Sequence, residues 1–324
     1  MKSLNQEPFP SRFSCTVDET ISPGLRVDRY VSEKLKILSR SQIKARKLRV
    51  RVNGHEVKIS RPLKGGEKLD FFWEDAVCEA LVPEDLPLEI VYEDNRAAVV
   101  NKAQGMVVHP GAGNFRGTLA NALYYRSLEK GGGLRGGIRP GIVHRLDKDT
   151  SGLIITAWDE EAHAFLANQF KNRKVVKTYA ALVQGCPREE KGRVEMPICR
   201  SRRNRKLFTV APWVTPLGLP RGKPSLTCYQ VVRAWAHHSL LLLRPKTGRT
   251  HQLRVHLRYL GTPILGDPLY GLRDSRFPRQ TLMLHAKRLS LILPGFEDEE
   301  KRTFRTPFPS RFQEVFSALN SRLN

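Results

Sequence analysis

The sequence predicts an α+β protein: a large domain on a mixed, largely antiparallel sheet, preceded by a small helix-helix-hairpin domain. Beyond residue 88 the apolar runs are short, Gly and Pro interrupt them often, and no regular β-α-β repeat is present. Residues 25–75 instead give two helical patterns followed by alternating strands. With 324 residues, 40% of them hydrophobic, the chain can bury a sizeable core and hold both domains.

Two helices are predicted at the start of the small domain. Five apolar residues recur at spacings that fit one helical stripe: Leu25, Val27, Tyr30, Val31 and Leu35. Ser39 is followed three residues later by Gln42, an arrangement that satisfies free backbone N–H groups at a helix start. A second helix is therefore predicted at roughly residues 40–48.

A β-hairpin is predicted around Asn53-Gly54, because alternating apolar residues flank this dipeptide and both of its residues tolerate the positive φ of a type I′ turn. Residues 25–75 hold 14 Lys and Arg against 7 Asp and Glu. The motifs LRVDRYVSEKL, SRSQIKARKLRVRVNG and LKGGEKLDF resemble an S4 RNA-binding domain. The resemblance implies that four basic residues lie near RNA phosphates: Arg40, Lys44, Arg46 and Lys47. The alternative is that these residues form a solvated helix face.

The remaining boundaries follow composition. Residues 1–24 are rich in Ser and Pro without periodicity, so a loosely held arm is expected. Residues 76–87 have Pro among acidic residues and are interpreted as a linker. The large domain is expected to span residues 88–295, with paired strands at 88–100. Residues 296–324 form a tail in which 312–319 is a candidate terminal helix.

The charge balance predicts a polyanionic partner. Lys and Arg number 55 against 32 Asp and Glu, a formal net charge of +23. Because each phosphate neutralised by Lys or Arg releases condensed counterions, nucleic acid is the favoured partner. A membrane partner is not expected, since no long basic amphipathic helix is evident and no stretch approaches the ~20 apolar residues of a membrane span.

Location and metal binding are constrained by two further features. The N-terminus has no apolar run resembling a signal peptide, so a cytoplasmic location is expected. The five cysteines are scattered and include no C-x-x-C pair, which argues against a disulfide framework and a structural zinc site.

A polar loop that leads into a buried strand carries the candidate catalytic carboxylate. Asp147 stands close to Arg145 and Lys148, and positive neighbours favour the charged form of a carboxylate, which can act as a nucleophile or a base. Asp149 is its competitor. Because Asp149-Thr-Ser-Gly152 resembles a side-chain-capped turn, Asp149 is expected to hold the loop through backbone hydrogen bonds.

The nine residues His144-Arg-Leu-Asp-Lys-Asp-Thr-Ser-Gly152 match the HRLD[RK]DTSG motif, and the chain thereby resembles the RluA-type pseudouridine synthases. Further motifs follow in the family's order, among them Lys177-Thr-Tyr179, Lys246-Thr-Gly-Arg-Thr-His-Gln-Leu-Arg-Val-His256 and Gly261-Thr-Pro-Ile-Leu-Gly-Asp-Pro-Leu-Tyr270. Two departures are visible: Asn101-Lys-Ala-Gln-Gly105 stands where members often have NKPAG, and the 199–207 loop is unusually rich in Arg.

The resemblance implies isomerisation of uridine in RNA: the bond from ribose C1′ to N1 breaks, the base turns, and a bond from C1′ to C5 forms. No outside electron, phosphate or metal is required, so no cofactor and no metal are expected. The sequence agrees, since it has neither a G-x-x-x-x-G-K-[ST] loop nor a dinucleotide fingerprint. For a member with an S4 domain the family-level expectation is 23S-type ribosomal RNA, and no obligate protein partner is inferred.

The resemblance also assigns roles at the site. Asp147 would act on the sugar, by attacking C1′ or by taking the C2′ proton, and both routes stay open. Tyr179 would stack on the uracil and relay a proton near C5, against the alternative of a core tyrosine on a strand. Arg249, at the turn before a predicted helix over residues 250–259, would pair with Asp147 and hold it ionised.

Base flipping needs a residue to fill the gap, since a uracil inside folded RNA must be extruded to reach a pocket. Arg145 is the candidate because a guanidinium stacks on bases and bonds phosphates, and His144 beside it belongs to the same predicted RNA-contacting group. A second basic cluster in the 199–207 loop is either a solvated loop or an RNA clamp, and the clamp is favoured. Its candidate residues are Arg202, Arg203 and Arg205.

Two rival functions remain at this stage. A non-catalytic RNA-binding or ribosome-assembly factor would keep the scaffold and lose the chemistry, which the presence of Asp147, Tyr179 and Arg249 disfavours. A nucleic-acid glycosylase also flips bases and uses a carboxylate. It would release free base, whereas an isomerase leaves every uracil attached to the chain.

Overall fold

The computed structural model describes residues 11–74, 81–111, 113–131, 140–205, 207–211, 222–295 and 300–321. It divides into two compact units, a first unit of Met1–Glu79 and a second unit of Ala80–Asn324. The helices are α1 (Val27–Arg29, continued by a π-helical turn Tyr30–Leu35), α2 (Arg40–Ala45), α3 (Leu119–Glu129), α4 (Glu160–Lys171), α5 (Gln252–Tyr259) and α6 (Ser310–Asn320). None of these described helices is both long and apolar enough to cross a membrane.

The strands are β1 (Ser11–Thr16), β2 (Arg49–Val52), β3 (His55–Val57), β4 (Lys68–Trp73), β5 (Glu89–Glu93), β6 (Ala97–Lys102), β7 (Ser151–Ala157), β8 (Val176–Gln184), β9 (Lys191–Glu195), β10 (Ile198–Arg200), β11 (Phe208–Val210), β12 (Leu226–Ala234), β13 (His238–Pro245), β14 (Leu284–Leu291) and β15 (Arg302–Arg305). They form three sheets. The first unit has a four-stranded sheet of order β1-β4-β2-β3, and the second unit has a nine-stranded sheet and the two-stranded β10-β11 ribbon.

The first unit contains the predicted helices and hairpin. Asn53 and Gly54, at φ 48° and 85°, link antiparallel β2 and β3, so the predicted hairpin is confirmed. At the start of α2, the Ser39 N–H donates to Gln42 Oε1 at 2.8 Å and the Gln42 N–H donates to Ser39 Oγ at 3.4 Å. This helix is shorter than predicted because Lys47 adopts a left-handed conformation at φ 47°.

The expectation of a loose arm over residues 1–24 is wrong for Ser11–Thr16, which is strand β1 and pairs antiparallel with β4. Phe13 and Cys15 pack against the core of the first unit, whose fully buried members include Val31 and Phe71. The apolar residues of this strand alternate with polar ones, but only over six residues. Such a short alternating pattern gives a weak sequence signal, and the partner strand β4 lies more than 50 residues away.

The nine-stranded sheet follows the order β5-β6-β7-β14-β8-β13-β12-β9, with β15 also pairing β14. The pairing of β7 with β14 is parallel, and the other described pairings are antiparallel. The predicted mixed, largely antiparallel sheet is therefore confirmed. The strands expected within residues 88–100 correspond to β5 and β6, which pair antiparallel.

Both faces of this sheet are covered, which explains the short apolar runs. On β6, Ala98 and Val100 join one buried cluster, which also contains Leu123 of α3 and Leu257 of α5. The alternate residues of β6 and β7 join a second cluster with Leu166 of α4. Every residue of β7 is buried as a result. Strands covered on both faces are expected to be continuously apolar.

The expected boundaries of the large domain need two corrections. Residues 296–324 are not a separate tail, because β15 extends the sheet and α6 buries Phe312 and Val315 in the main core. The candidate terminal helix over 312–319 lies within α6 and is confirmed. Of the expected linker 76–87, residues 76–80 lie outside the described residues, and Leu81 is buried in the main core.

Candidate active site

A junction of three strands brings the loop of residues 144–150 close to Tyr179. Ala286 of β14 pairs with Gly152 of β7 in parallel and with Tyr179 of β8 in antiparallel fashion. Gly152 has φ 113°, and a Cβ atom there would lie 2.4 Å from the Ala286 carbonyl oxygen. The close approach therefore requires glycine at this position. The loop that precedes β7 consequently ends one strand away from Tyr179 on β8, with Ala286 of β14 between them.

Buried Lys102 fixes this loop from below. Its ammonium donates hydrogen bonds to the carbonyl oxygens of Ala103 at 2.8 Å, Met106 at 2.8 Å and Lys148 at 3.1 Å. Burial lowers the pKa of Lys102 to about 8, although the charges of Asp149 and Asp147 act in the opposite direction. The loop is thus tied to the end of β6 through main-chain oxygens.

Two further bonds hold the turn around Asp149. Gln104 Nε2 donates to the Asp149 carbonyl oxygen at 2.9 Å, and the Thr150 N–H donates to the Asp147 carbonyl oxygen at 3.1 Å. Asp149 therefore contributes to the loop through its main-chain oxygen, whereas the sequence suggested its side chain. Gln104 is one of the two positions at which the chain departs from the NKPAG pattern, and its amide supports the loop.

Asp147 lies on the wall of a cavity of about 110 Å³, hereafter the Asp147 cavity. Its side chain is 23% exposed, so the carboxylate can be reached from the cavity. Among the residues that line this space are Tyr179, Arg249, His251 and Arg254. The structure thus brings together the three residues predicted as catalytic, which come from the loop, from β8 and from the turn before α5.

The cation nearest Asp147 is Arg254 on α5, and the predicted pairing with Arg249 is wrong. Arg254 Nη1 lies 3.8 Å from Asp147 Oδ2, while Arg249 Nε donates to the Pro224 carbonyl oxygen at 3.2 Å. Arg254 also forms a bidentate ion pair with Asp267, at 2.7 and 2.6 Å. Both side chains of this pair are buried, at 4% and 0% exposure. The guanidinium is therefore fixed before any substrate binds.

The geometry of α5 explains this correction. The helix begins at Gln252 rather than Thr250, because His251 before it has left-handed backbone at φ 55°. Gln252 Oε1 accepts a hydrogen bond from the Arg249 N–H at 3.0 Å, which closes the turn. Arg254 then lies in the first turn of the helix and faces the cavity. Sequence reasoning missed Arg254, although it lies within the quoted Lys246–His256 motif.

His251 is a second residue that the sequence did not assign to the site. Its Nε2 lies 4.0 Å from Asp147 Oδ2, and its Nδ1 lies 2.9 Å from the Tyr270 hydroxyl. That hydroxyl accepts a hydrogen bond from the Phe208 N–H, so its own proton can be donated to Nδ1. In the tautomer in which Nδ1 accepts that proton, Nε2 carries the ring proton and faces Asp147. Burial lowers the pKa of His251, and the Asp147 charge opposes the shift.

Tyr179 contributes a neutral aromatic side chain to the wall of the Asp147 cavity. The side chain is buried, and burial together with the charge of Asp147 raises its pKa. The phenol therefore stays neutral at ordinary pH. It presents a ring and a hydroxyl group to the cavity, rather than a phenolate.

Arg145, predicted to fill the gap left by the flipped base, and His144, predicted to contact RNA beside it, lie in different surroundings. Arg145 is exposed and lines the mouth of the Asp147 cavity. His144 stacks on Phe170, with ring centroids 4.5 Å apart, and its Nε2 accepts a hydrogen bond from the Ile155 N–H at 3.0 Å. Burial lowers its pKa to about 3, with a further contribution from Lys177. His144 is thus a neutral ring that packs the loop against α4.

The predicted basic residues of the first unit are at its surface. Arg40 and Lys47 are exposed and lie 3.9 and 2.9 Å from the carboxylates of Glu33 and Glu74. Arg46 is half-buried, and the side chain of Lys44 lies outside the described residues. In the second unit, the turn between β10 and β11 exposes three arginines: Arg202, Arg203 and Arg205.

The β10-β11 ribbon is connected to the active site through Phe208. The Phe208 N–H bonds the hydroxyl of Tyr270, and its ring contacts His251 edge-on at 5.6 Å. Arg200 stacks over the same ring at 5.2 Å and donates to the Arg205 carbonyl oxygen at 2.8 Å. The arginine-rich turn is therefore held on a ribbon that contacts the wall of the Asp147 cavity.

Known proteins resemble this chain in sequence and in fold. Residues 96–259 match the family model of RNA pseudouridylate synthases. The chain is 40% identical over 306 residues to the ribosomal large subunit pseudouridine synthase D of Borreliella burgdorferi, which covers 89% of this chain and 88% of that protein. It is 36% identical over 298 residues to the chloroplastic RNA pseudouridine synthase 2 of Arabidopsis thaliana, covering 82% and 68%.

Solved structures agree with these relatives. The human RNA pseudouridylate synthase domain containing 1 protein is 30% identical, has a TM-score of 0.55, and covers 73% of this chain and 96% of that one. The human domain containing 4 protein is 27% identical with a TM-score of 0.57, covering 72% and 93%. Taken with the HRLD loop and its cavity, these matches show that the chain belongs to the RluA-type family of RNA pseudouridine synthases, which are isomerases.

Proposed function

We propose that this protein converts specific uridines of large-subunit ribosomal RNA to pseudouridine, and that Asp147 is the carboxylate that acts on the sugar. The observation that carries this proposal is the cavity in which Asp147 faces Arg254 and His251, with Tyr179 on the wall. Relatives at 40% identity are named ribosomal large subunit pseudouridine synthases, which supports the choice of RNA.

Asp147 is placed for the sugar chemistry beside a fixed cation. Arg254 Nη1 lies 3.8 Å from Asp147 Oδ2, and His251 Nε2 lies 4.0 Å from the same oxygen. An ionised carboxylate can attack C1′, or it can remove the C2′ proton so that the bond from C1′ to N1 breaks. Either route frees the uracil to turn within the cavity. As the bond from C1′ to C5 forms, the bond between Asp147 and C1′ breaks in the first route, and Asp147 returns the proton to C2′ in the second.

Tyr179 is proposed to hold the turning base. Its ring offers an apolar face for a uracil, and its neutral hydroxyl can donate or accept a hydrogen bond. The raised pKa argues against a stored phenolate base at this position. The C5 proton must leave and N1 must gain a proton, so the isomerisation is balanced in atoms and electrons without an oxidant or reductant.

Arg145 is proposed to occupy the space that the flipped uridine vacates. It stands two residues before Asp147 and is exposed at the mouth of the cavity. A guanidinium there can stack on neighbouring bases and bond phosphates. The exposed arginines of the β10-β11 turn are proposed to clamp the RNA nearby, since their ribbon contacts the same cavity wall through Phe208.

Nucleoside analysis tests the proposed reaction directly. Unmodified large-subunit ribosomal RNA incubated with the full chain is expected to gain pseudouridine at one or a few positions, with an equal loss of uridine and no free uracil. Free uracil in the small-molecule fraction would identify a glycosylase instead. RNA binding without any product would favour a non-catalytic assembly factor.

The first unit is proposed to be an S4-like domain that adds affinity for RNA. Replacing Arg40 and Lys47 with Gln is expected to weaken RNA binding and to reduce the slope of log affinity against log salt by about 1 to 2, since each lost phosphate contact removes about 0.7 to 0.9. The rate at saturating RNA should not change. Binding isotherms at several salt concentrations measure this.

The matched control replaces Lys58 and Lys64, which are exposed basic residues of the same unit beyond the hairpin turn. It removes the same charge from a part of the unit that the resemblance does not direct toward RNA. Equal effects of the two double variants would mean that only net charge matters, and no S4-like binding face would then be supported.

A further inference from the structure

A second cavity, of about 590 Å³, adjoins the Asp147 cavity, and we name it the basic groove. The two share a wall formed by Arg145, Lys177, Gly248 and Arg249, among others. Because of this shared wall, a nucleotide chain with one base in the Asp147 cavity can continue along the groove. Its volume is within the ~300–1,000 Å³ of ordinary ligand sites.

The rim of the groove is strongly cationic. Seven of its described lining residues are Lys or Arg and none is Asp or Glu. Lys171 and Arg173 come from the end of α4, and Arg244 and Lys246 come from the end of β13, so two separate elements carry exposed cations to the same opening. Cations from two elements without intervening carboxylates fit a polyanion better than a folded acidic partner.

The floor of the groove is apolar and partly aromatic. Val143, Phe170, Val175 and Val176 line it, and Val176 is 38% exposed. The stacked ring of His144 supports Phe170 from the loop side. An apolar and aromatic surface with a cationic rim is the arrangement by which proteins hold single-stranded nucleic acid, because a base stacks while its phosphate pairs.

Lys177 stands where the groove meets the Asp147 cavity. Its ammonium lies 5.7 Å from the centre of the Phe170 ring, and burial lowers its pKa. In the described part of the chain, no Asp or Glu forms an ion pair with Lys177. An anion at this junction would oppose the effect of burial on Lys177 and favour its charged form, and the phosphate of a nucleotide that enters the Asp147 cavity would lie there.

We propose that the basic groove is a subsite of the enzyme that holds the nucleotide flanking the target uridine, with its phosphate on Lys177, Arg244 and Lys246 and its base on the Phe170 floor. The proposal rests on the proposed function, since it assumes that the uridine occupies the Asp147 cavity. The groove would then help to determine which RNA sequence or loop the enzyme modifies.

A double-mutant cycle that combines substitutions of groove residues with neutralised RNA phosphates tests the subsite. The substrate is a synthetic RNA that contains a uridine modified by the wild-type protein. Single methylphosphonates, which remove one phosphate charge, are placed in turn on either side of that uridine. The proteins are wild type, the groove variant Arg244→Gln with Lys246→Gln, and the control Arg188→Gln with Lys191→Gln. The control residues are exposed, lose the same charge and line none of the cavities described.

The expected result is coupling at one or two adjacent phosphates. There, a methylphosphonate lowers kcat/KM of the wild type and the control by about tenfold, the usual size of a hydrogen bond to a charged group. The same methylphosphonate should lower kcat/KM of the groove variant much less, because that contact is already absent in the variant. The loss should fall mainly on KM. A Lys177→Met variant should show the same coupling at the phosphate nearest the uridine.

Two results would overturn the inference in different ways. If the variant and methylphosphonate effects simply multiply at every position, or if the control couples equally, then the groove contacts no particular phosphate and the subsite is refuted while the proposed function stands. If the wild-type protein makes no pseudouridine in any RNA, then the proposed function fails and the subsite fails with it.

Discussion

Asp147→Asn is expected to lower the rate of pseudouridine formation at least about 10³-fold while RNA affinity stays within a fewfold of the wild type. The amide has the shape of the carboxylate, but it can neither attack C1′ nor take the C2′ proton. RNA binding is spread over many cations, and the formal net charge is +23. Single-turnover assays with saturating protein measure the chemical step separately from binding.

The neighbouring carboxylate provides a matched control for this variant. Asp149 lies two residues along the same loop, where its main-chain oxygen accepts the bond from Gln104. Asp149→Asn removes the same charge, keeps that oxygen and is expected to reduce the rate far less. If the two variants lose activity equally, or if Asp149→Asn is the less active, then the carboxylates have been assigned in the wrong order.

Arg254→Met is expected to damage both stability and catalysis. It leaves the buried carboxylate of Asp267 without its cation, and breaking a buried pair in this way costs about 3–5 kcal/mol. It also removes the cation 3.8 Å from Asp147. Denaturant unfolding should show the lost free energy. Assays at a temperature where the variant is folded should show a lower rate.

Arg258→Met is the control, because Arg258 lies one turn further along α5 and is exposed. It is expected to change the free energy of unfolding by no more than about 0.5 kcal/mol, as surface substitutions usually do. Arg254→Lys should fall between the two, since it keeps a charge and loses the bidentate geometry. Wild-type stability in Arg254→Met would contradict the buried ion pair that this account places at the site.

Local patterns in the sequence predicted the elements that depend on neighbouring residues. The Asn53-Gly54 hairpin follows from backbone preference, and the start of α2 follows from the bonds between Ser39 and Gln42. The loop and the strand with Asp147 and Tyr179 were placed by long motifs. That both residues meet at one cavity depends on the pairing of Gly152 and Tyr179 with the same residue, Ala286.

Features that depend on distant partners could not be predicted in this way. Strand β1 pairs with β4 more than 50 residues away, so its six residues alone predict only an arm. Strand β15 pairs with the neighbouring strand β14, but its four residues form too short a pattern to predict a strand. Arg254 and Arg249 look alike within one motif. Which of them pairs with Asp147 is decided by the left-handed His251 and by the bond to Asp267, thirteen residues later. Neither leaves a periodic signal in the sequence.

We expect a carboxylate in this cavity to move uracil from N1 to C5 without releasing it. The most direct measurement uses ribosomal RNA labelled with tritium at C5 of uridine, because formation of the bond from C1′ to C5 expels that hydrogen into water. The wild-type protein should release one tritium for each pseudouridine formed, and Asp147→Asn should release almost none. Tritium release by Asp147→Asn at the wild-type rate would contradict the account.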